Sequence, residues 1–213
     1  MITAVVVDDH PVVLAGVRAW CAQADPPIKI VDSGPTLATA VLEPGAGTDV
    51  VVLDLQLDMS GPAYGNLKQL VDAGRQVVVS TMRDDKQTAL TCLDIGAFTY
   101  RTKAEGESHL VAAIHAAAAN RPYLPPALAG ALGTDTSPNR PRLADQEVRV
   151  LRAWFQCESK KAVASALNIK VSTVNTYLGR VRTKYAAVGR DAPTKAALVA
   201  RAIQDGLVTL DEL

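Results

Sequence analysis

Short runs of Val and Ile alternate with helical patterns along the first 120 residues of the chain. The predicted strands are Ile2–Val7, Ile28–Asp32, Val50–Leu53, Gln76–Ser80 and Phe98–Arg101. Between and after them, apolar residues recur every three or four positions, which predicts helices at about 11–23, 36–43, 64–73, 85–95 and 106–119. The chain therefore begins with five strand–helix units in succession.

These units predict a single parallel sheet. Val50–Leu53 and Val77–Val79 are apolar at every position, as expected when helices cover both faces of a sheet. Strands that alternate with helices join most simply into an α/β fold. We expect a flavodoxin-like, doubly wound sheet of five parallel strands over residues 1–120.

The pattern changes after residue 120. Residues 121–142 contain five prolines, which predicts a linker, with its middle ordered against the first domain as one alternative. Helical periodicity then returns at about 144–156, 160–167, 172–186 and 193–205, without any strand pattern. We therefore expect a small all-α domain of four helices over residues 143–213.

Composition narrows the class of protein. The 213 residues are 48% hydrophobic, which is enough for packed cores and excludes wholesale disorder. Cys21, Cys92 and Cys157 are an odd number without paired spacing, which excludes a disulfide framework and a zinc ribbon. No run approaches the roughly 18 apolar residues of a membrane span. We expect a soluble, cytoplasmic protein with no membrane partner.

The net charge of zero conceals two halves of opposite sign. Residues 1–120 hold 8 Lys and Arg against 14 Asp and Glu, a net charge of −6. Residues 121–213 hold 14 Lys and Arg against 8 Asp and Glu, a net charge of +6. This asymmetry predicts an acidic module joined to one that binds a polyanion. It also suggests that the two halves bind each other electrostatically in a resting state.

Polar residues follow four of the predicted strands at the point where each ends. Asp8 and Asp9 follow the first strand, Asp54 the third, Thr81 the fourth and Lys103 the fifth. Ligands of open α/β sheets bind outside the carboxyl ends of the strands, so these groups are expected to converge. Carboxylate oxygens suit Mg²⁺, and a carboxylate beside a metal can act as a phosphoryl acceptor.

Two other interpretations of this cluster are open. An Asp after a strand is often only a helix cap, but five compatible groups at four strand ends favour a functional site. A metal-dependent phosphatase with Asp54 as its nucleophile is the second alternative. It is disfavoured because Gln56 stands where a second acid is needed, and because it leaves the basic half unexplained.

Four segments of the first half resemble the receiver domain of bacterial two-component response regulators: VVVDDHPVVLAGV, DVVVLDLQL, VVVSTMRDD and GAFTYRTK. The resemblance implies that Asp54 is phosphorylated. It also implies Mg²⁺ held by Asp9 and Asp54, by Asp8 through water, and by the backbone carbonyl of Gln56. Asp58 departs from the pattern, since receivers usually carry Pro four residues after the phosphoacceptor.

The same resemblance implies a conformational switch. Lys103 and Thr81 would engage the phosphoryl group, and Thr81 and Tyr100 would then move together. The receiver would catalyse only its own phosphoryl transfer and dephosphorylation, so the protein as a whole would not be an enzyme.

The basic half predicts a helix-turn-helix. A helix at 160–167 and a turn at 168–170 precede a second helix, in which Val174, Leu178, Val181 and Tyr185 form one apolar stripe. The opposite face of that helix is polar and basic. Such a helix can pack on its partner while its polar groups enter a major groove.

Residues from Leu143 to about Val208 resemble the LuxR-type DNA-binding domain of the NarL/FixJ family. The resemblance implies base-facing positions at Val171, Ser172, Asn175, Thr176 and Gly179. It implies phosphate contacts from Lys160, Lys161, Lys170, Thr173, Tyr177, Arg180, Arg182 and Lys184. Asn175 is the strongest candidate for base reading, because an Asn side chain can bond adenine through two hydrogen bonds.

The patterns together predict a DNA-binding response regulator, a transcription factor. Its expected partners are double-stranded DNA, a sensor histidine kinase that phosphorylates Asp54, and a second copy of the chain, at least when activated. Dimerisation would place two recognition helices on promoter half-sites. The alternative is an atypical regulator of the same architecture, controlled by a ligand, a partner or constitutive dimerisation rather than by phosphorylation.

Overall fold

The computed structural model describes residues 1–57, 61–133, 140–209 and 212. Asp58, the residue that departs from the receiver pattern, lies outside the described residues, as does part of the predicted linker. No helix in the described part of the chain is long and apolar enough to cross a membrane.

The described residues of the first half form one sheet of five parallel strands in the order β2-β1-β3-β4-β5. The strands are β1 (Ile2–Val7), β2 (Ile28–Gly34), β3 (Val50–Leu53), β4 (Gln76–Thr81) and β5 (Thr99–Thr102). The side chains of β3 are buried at every position, since helices cover both faces of the sheet. The predicted doubly wound α/β fold is confirmed.

Five helices flank this sheet in the described residues: α1 (Pro11–Gln23), α2 (Ala38–Val41), α3 (Tyr64–Asp72), α4 (Lys86–Ile95) and α5 (Gly106–Ala118). Helices α1 and α5 pack on one face, and α2, α3 and α4 on the other. Helix α2 is shorter than the predicted helix at 36–43. It ends before Glu43, since a residue that precedes a proline disfavours the helical conformation.

A further helix, α6 (Pro126–Gly133), lies within the stretch that the sequence predicts as a linker. Proline is well tolerated in the first turn of a helix, where no intrahelical hydrogen bond is lost. Leu128, Ala131 and Leu132 are buried, and they belong to the same apolar cluster as the core face of α4 and β5. This part of the chain is therefore packed against the first half.

The second half contains four helices over its described residues: α7 (Asp145–Gln156), α8 (Lys160–Leu167), α9 (Val171–Ala187) and α10 (Lys195–Gln204). The predicted stripe of α9 is fully buried against α7 and α8. Asn168 adopts a left-handed conformation (φ 54°) between α8 and α9, where it ends α8 and sets the tight turn. The predicted four-helix domain is confirmed.

Helix α10 lies between the two halves. Every residue of α10 except Ile203 is buried. Leu198 and Ala202 face the helical domain, whereas Ala200 joins the apolar cluster shared with α4 and α6. The Arg201 guanidinium forms an ion pair with Asp94 of α4. The contact thus combines apolar packing with a specific pair of opposite charges.

Candidate functional site

Three carboxylates meet at the carboxyl edge of the sheet because β1 and β3 are neighbours in register. The backbone N–H of Asp54 donates to the Val7 carbonyl (2.9 Å), which places Asp54 beside Asp8 and Asp9. The side chains of Asp8 and Asp54 are almost fully buried, while Asp9 is exposed. Ligand atoms of these three residues and of His10 all lie within 4.8 Å of one another.

Lys103 neutralises part of this negative charge. It begins a 3-10 turn, Lys103–Glu105, directly after β5. Its Nζ lies 2.6 Å from Asp54 Oδ2 and 2.8 Å from Asp8 Oδ2. Burial lowers the pKa of Lys103, but its hydrogen bonds to the two carboxylates outweigh that effect, and the pKa is raised. Lys103 is therefore a charged group held against the candidate phosphoacceptor.

Other carboxylate oxygens of Asp8, Asp9 and Asp54 contact an imidazole or a backbone amide rather than an ammonium. His10 Nδ1 lies 2.8 Å from Asp9 Oδ1 and 3.2 Å from Asp8 Oδ1. The backbone N–H of Gln56 donates to Asp54 Oδ1 (3.0 Å). This contact places Gln56 beside the pocket through its amide, and the metal-binding role of its carbonyl stays a prediction.

The two predicted switch residues meet at one loop residue. The backbone N–H of Arg83 donates to Thr81 Oγ1 (3.4 Å), and the Tyr100 hydroxyl donates to the Arg83 carbonyl (2.5 Å). Both Thr81 and Tyr100 are buried. Thr81 and Tyr100 therefore contact the same residue of the loop between β4 and α4, and their role as a switch stays a prediction.

The chemistry of this cluster fits a hard divalent cation. Three carboxylates converge, and oxygen ligands of this kind are those that Mg²⁺ prefers. The exposure of Asp9 leaves one side of the cluster open to the waters that Mg²⁺ usually retains. Asp8, Asp9 and Asp54 are the residues that could hold the ion.

The second cluster of predicted residues lies on α8, α9 and the turn between them. Most of these residues are exposed: Lys161, Lys170, Val171, Ser172, Asn175, Thr176, Gly179 and Arg180. Helix α9 begins at Val171, and the side chain of its N-cap residue, Lys170, makes no capping hydrogen bond. A Cβ at Gly179 would meet no atom within 4 Å, which leaves that part of the helix surface open.

Several predicted DNA-contacting residues are half-buried instead: Lys160, Thr173, Tyr177, Arg182 and Lys184. Lys184 Nζ lies 2.6 Å from Oε2 of the buried Glu147 and also donates to a backbone carbonyl. Arg182 lines a groove of about 690 Å³ between α9 and the helices α3 and α4. Burial lowers the pKa of Arg182. The Lys184 ammonium is therefore paired with Glu147 although its side chain is 38% exposed, and Arg182 faces the groove between the two halves.

Comparison with known proteins matches both halves of the chain. The family model of the response regulator receiver domain matches residues 4–115, and that of bacterial regulatory proteins of the luxR family matches residues 141–192. The chain is a DNA-binding response regulator of the LuxR family. The resemblance to the NarL/FixJ family seen in the sequence is confirmed.

Relatives of this regulator align over most of its length. The transcriptional activator EvgA of Escherichia coli K12 is 26% identical over 85% of this chain and 90% of its own. The nitrate/nitrite response regulator NarP of the same organism is 29% identical over 93% and 95%. The solved RcsB–DNA complex shares the fold (TM-score 0.56, 20% identity, 98% and 99% covered).

Sequence reasoning on this response regulator missed two groups that join its parts. One is the Arg201–Asp94 pair between the halves, for which a sequence carries no local signal. The other is Glu105, which follows Thr102 by three residues. That T-x-x-E spacing is a capping-box signature, and it could have identified Glu105 as an anchor.

Proposed function

We propose that this response regulator is activated when a sensor histidine kinase phosphorylates Asp54, and that activation favours a dimer that binds two promoter half-sites. Residues 1–120 would form the receiver, residues 121–142 the linker and residues 143–213 the DNA-binding domain. The observation that carries the proposal is Lys103, whose ammonium is held 2.6 Å from Asp54 Oδ2 and 2.8 Å from Asp8 Oδ2.

The proposed transfer is a displacement at phosphorus. An Asp54 carboxylate oxygen forms a bond to the phosphorus of a phosphohistidine, the P–N bond breaks, and the imidazole leaves with the bonding electrons and takes up a proton. The resulting acyl phosphate places new anionic oxygens beside Lys103, which is charged and already in contact with Asp54. Electrostatic stabilisation of this kind is the main catalytic resource in phosphoryl transfer.

A divalent cation on Asp8, Asp9 and Asp54 would, when bound, neutralise charge on the phosphoryl oxygens. The protein's own contribution is to hold these carboxylates rigidly. Asp8 and Asp54 are buried at adjacent strand ends, and the amide of Gln56 orients the Asp54 carboxylate. Thr81, at the end of β4, offers a hydroxyl that can donate to a phosphoryl oxygen.

DNA binding is assigned to the exposed surface around the start of α9. Asn175 and Arg180 are exposed, and Arg180 stacks over the ring of Tyr177 (5.8 Å from its centroid). A dimer would place two such helices about one helical turn of DNA apart, on two half-sites. The RcsB structure that shares this fold is a complex with DNA, which supports the assignment.

A second candidate keeps the same DNA-binding role without phosphorylation. Asp58 stands four residues after Asp54, where receivers usually carry Pro, and this departure favours an atypical regulator controlled by a ligand, a partner or constitutive dimerisation.

Intact mass and light scattering after treatment with acetyl phosphate and Mg²⁺ separate the two candidates, with Asp54→Asn as the control. A gain of one phosphoryl group that is absent in the control, together with a doubling of mass in solution, supports activation by phosphorylation. A folded protein that gains no phosphoryl group leaves the atypical regulator. Selection from random-sequence DNA duplexes then tests sequence-specific binding in either case.

A further inference from the structure

Glu105 joins two parts of the chain that are 22 residues apart. Its Oε2 accepts the backbone N–H of Thr102 (2.7 Å), at the end of β5. Its Oε1 accepts the backbone N–H of Ala127 (2.8 Å), in the first turn of α6. Each oxygen of the carboxylate therefore holds a different element, and a negative charge at the start of α6 is favourable for the helix dipole.

The turn that carries Glu105 also carries Lys103. The three residues Lys103–Glu105 form one 3-10 turn, and Glu105 closes it onto its own N-cap, Thr102. One end of this short turn is anchored to Asp54 and Asp8 through the Lys103 ammonium. Because the two residues belong to the same three-residue turn, a displacement of the Lys103 backbone also displaces Glu105.

Helix α6 is placed to pass such a movement on. It packs against α4, β5 and α10, and its Leu128 and Leu132 share an apolar cluster with Tyr100 and with Ala200 of α10. A change in the position of α6 therefore alters the surface on which α10 rests. The contact path runs from the phosphoacceptor to the DNA-binding domain through adjacent, packed groups.

We propose that Glu105 is a positioning residue that couples Lys103 to α6, so that occupation of Asp54 loosens α6 from the turn. The proposal rests on the proposed phosphorylation of Asp54 for its trigger. Lys103 turns from the carboxylates towards the new phosphoryl oxygens, the turn shifts with it, and the bond between Glu105 and the Ala127 amide is lost.

Amide hydrogen exchange at Ala127 in the full chain tests the coupling, with and without Mg²⁺ and beryllofluoride as a phosphoryl mimic. In the wild type, the mimic is expected to accelerate exchange at least about tenfold, the change expected when a hydrogen bond to a charged acceptor is lost. In Glu105→Ala, the amide of Ala127 should exchange fast without the mimic, and adding the mimic should not change the rate. Glu105→Gln keeps the side-chain length and gives an intermediate response.

Two controls separate coupling from general loosening. Glu107 is exposed in the first turn of α5 and makes no hydrogen bond or ion pair among the described residues, so Glu107→Gln should behave as the wild type. Tyr123→Phe removes a linker contact to His109 (2.7 Å) that does not involve the turn, and it should retain the response to the mimic. A wild-type response to the mimic in Glu105→Ala would overturn the proposal.

Failure of the trigger is distinguishable from failure of the coupling. If the wild type takes up neither a phosphoryl group nor the mimic, the proposed activation of Asp54 is wrong. Lys103→Met then tests the coupling alone, because it releases the turn from Asp54 and Asp8 without any ligand. Faster exchange at Ala127 in Lys103→Met supports the coupling, whereas unchanged exchange contradicts it.

Discussion

The ion pair between Arg201 and Asp94 is expected to hold the two halves together, and Asp94→Asn should open them. Arg201 lies on α10 and Asp94 on α4, so the substitution removes a charge from one half without changing either hydrophobic core. The side chain of Arg201 is only 8% exposed, whereas that of Asp94 is 46% exposed. Loss of the Asp94 charge therefore leaves a buried guanidinium without its carboxylate.

The free-energy cost of Asp94→Asn to the closed arrangement lies between two limits. Exposed ion pairs contribute about 0–1 kcal/mol, and removing one partner of a fully buried pair costs about 3–5 kcal/mol. Because water screens Asp94 but not Arg201, we expect a cost of about 1–2 kcal/mol to the closed arrangement. That energy corresponds to roughly a 5- to 30-fold change in the ratio of closed to open molecules.

Small-angle scattering of the unphosphorylated protein, with and without added salt, measures this ratio. Asp72→Asn is the matched control, because Asp72 lines the same groove but pairs with Lys68 within α3. We expect a larger radius of gyration for Asp94→Asn than for the control, and a smaller increase on adding salt than in the wild type, since the pair is already broken. Equal dimensions for both variants would refute the reasoning.

Three further predictions follow from single residues. Asn175→Ala should relax the sequence preference of DNA binding. Arg180→Ala should weaken binding to all duplexes and reduce the slope of log affinity against log salt concentration by about one. Fluorescence anisotropy on selected and random duplexes distinguishes the two effects. Lys184→Met should lower the free energy of unfolding by about 1–3 kcal/mol through its buried partner Glu147, with little change in DNA affinity once folding is corrected for. Burial lowers the pKa of Lys195 from about 10.5 to about 8, so the folded protein loses this proton at a lower pH than the unfolded chain does. The free energy of unfolding should therefore rise between about pH 8 and 10.5, by about 3 kcal/mol. Chemical denaturation at several pH values measures this rise, which should be absent in Lys195→Met.

The strands and helices could be predicted from the sequence because each one shows the hydrophobic spacing of its own secondary structure. Val50–Leu53 and Val77–Val79 are apolar at every position, and the stripe of α9 recurs at helical spacing, so these elements could be assigned without tertiary information. The convergence of Asp8, Asp54 and Lys103 followed from topology alone, because parallel strands end at one edge of a sheet.

Other predictions depended on contacts that no local pattern contains. The family resemblance implies that Lys184 contacts phosphate, which stays a prediction, whereas the structure pairs its ammonium with the buried carboxylate of Glu147, 37 residues away. Arg182 has the same sequence character as Arg180, yet one lines the groove between the halves and the other is exposed. Proline-rich composition predicted a linker at 121–142, with its middle ordered against the first domain as one alternative, and α6 is stabilised there by packing on α4 and β5.

The sequence by itself determined the two folds, the acidic cluster and the recognition helix, because hydrophobic periodicity and strand order act within each half. Only the tertiary structure decided which contacts join the halves. The burial of α10, the Arg201–Asp94 pair and the bond from Glu105 to Ala127 join residues far apart in the chain. No local pattern predicts such contacts, because each of them requires two surfaces that meet only in the folded chain.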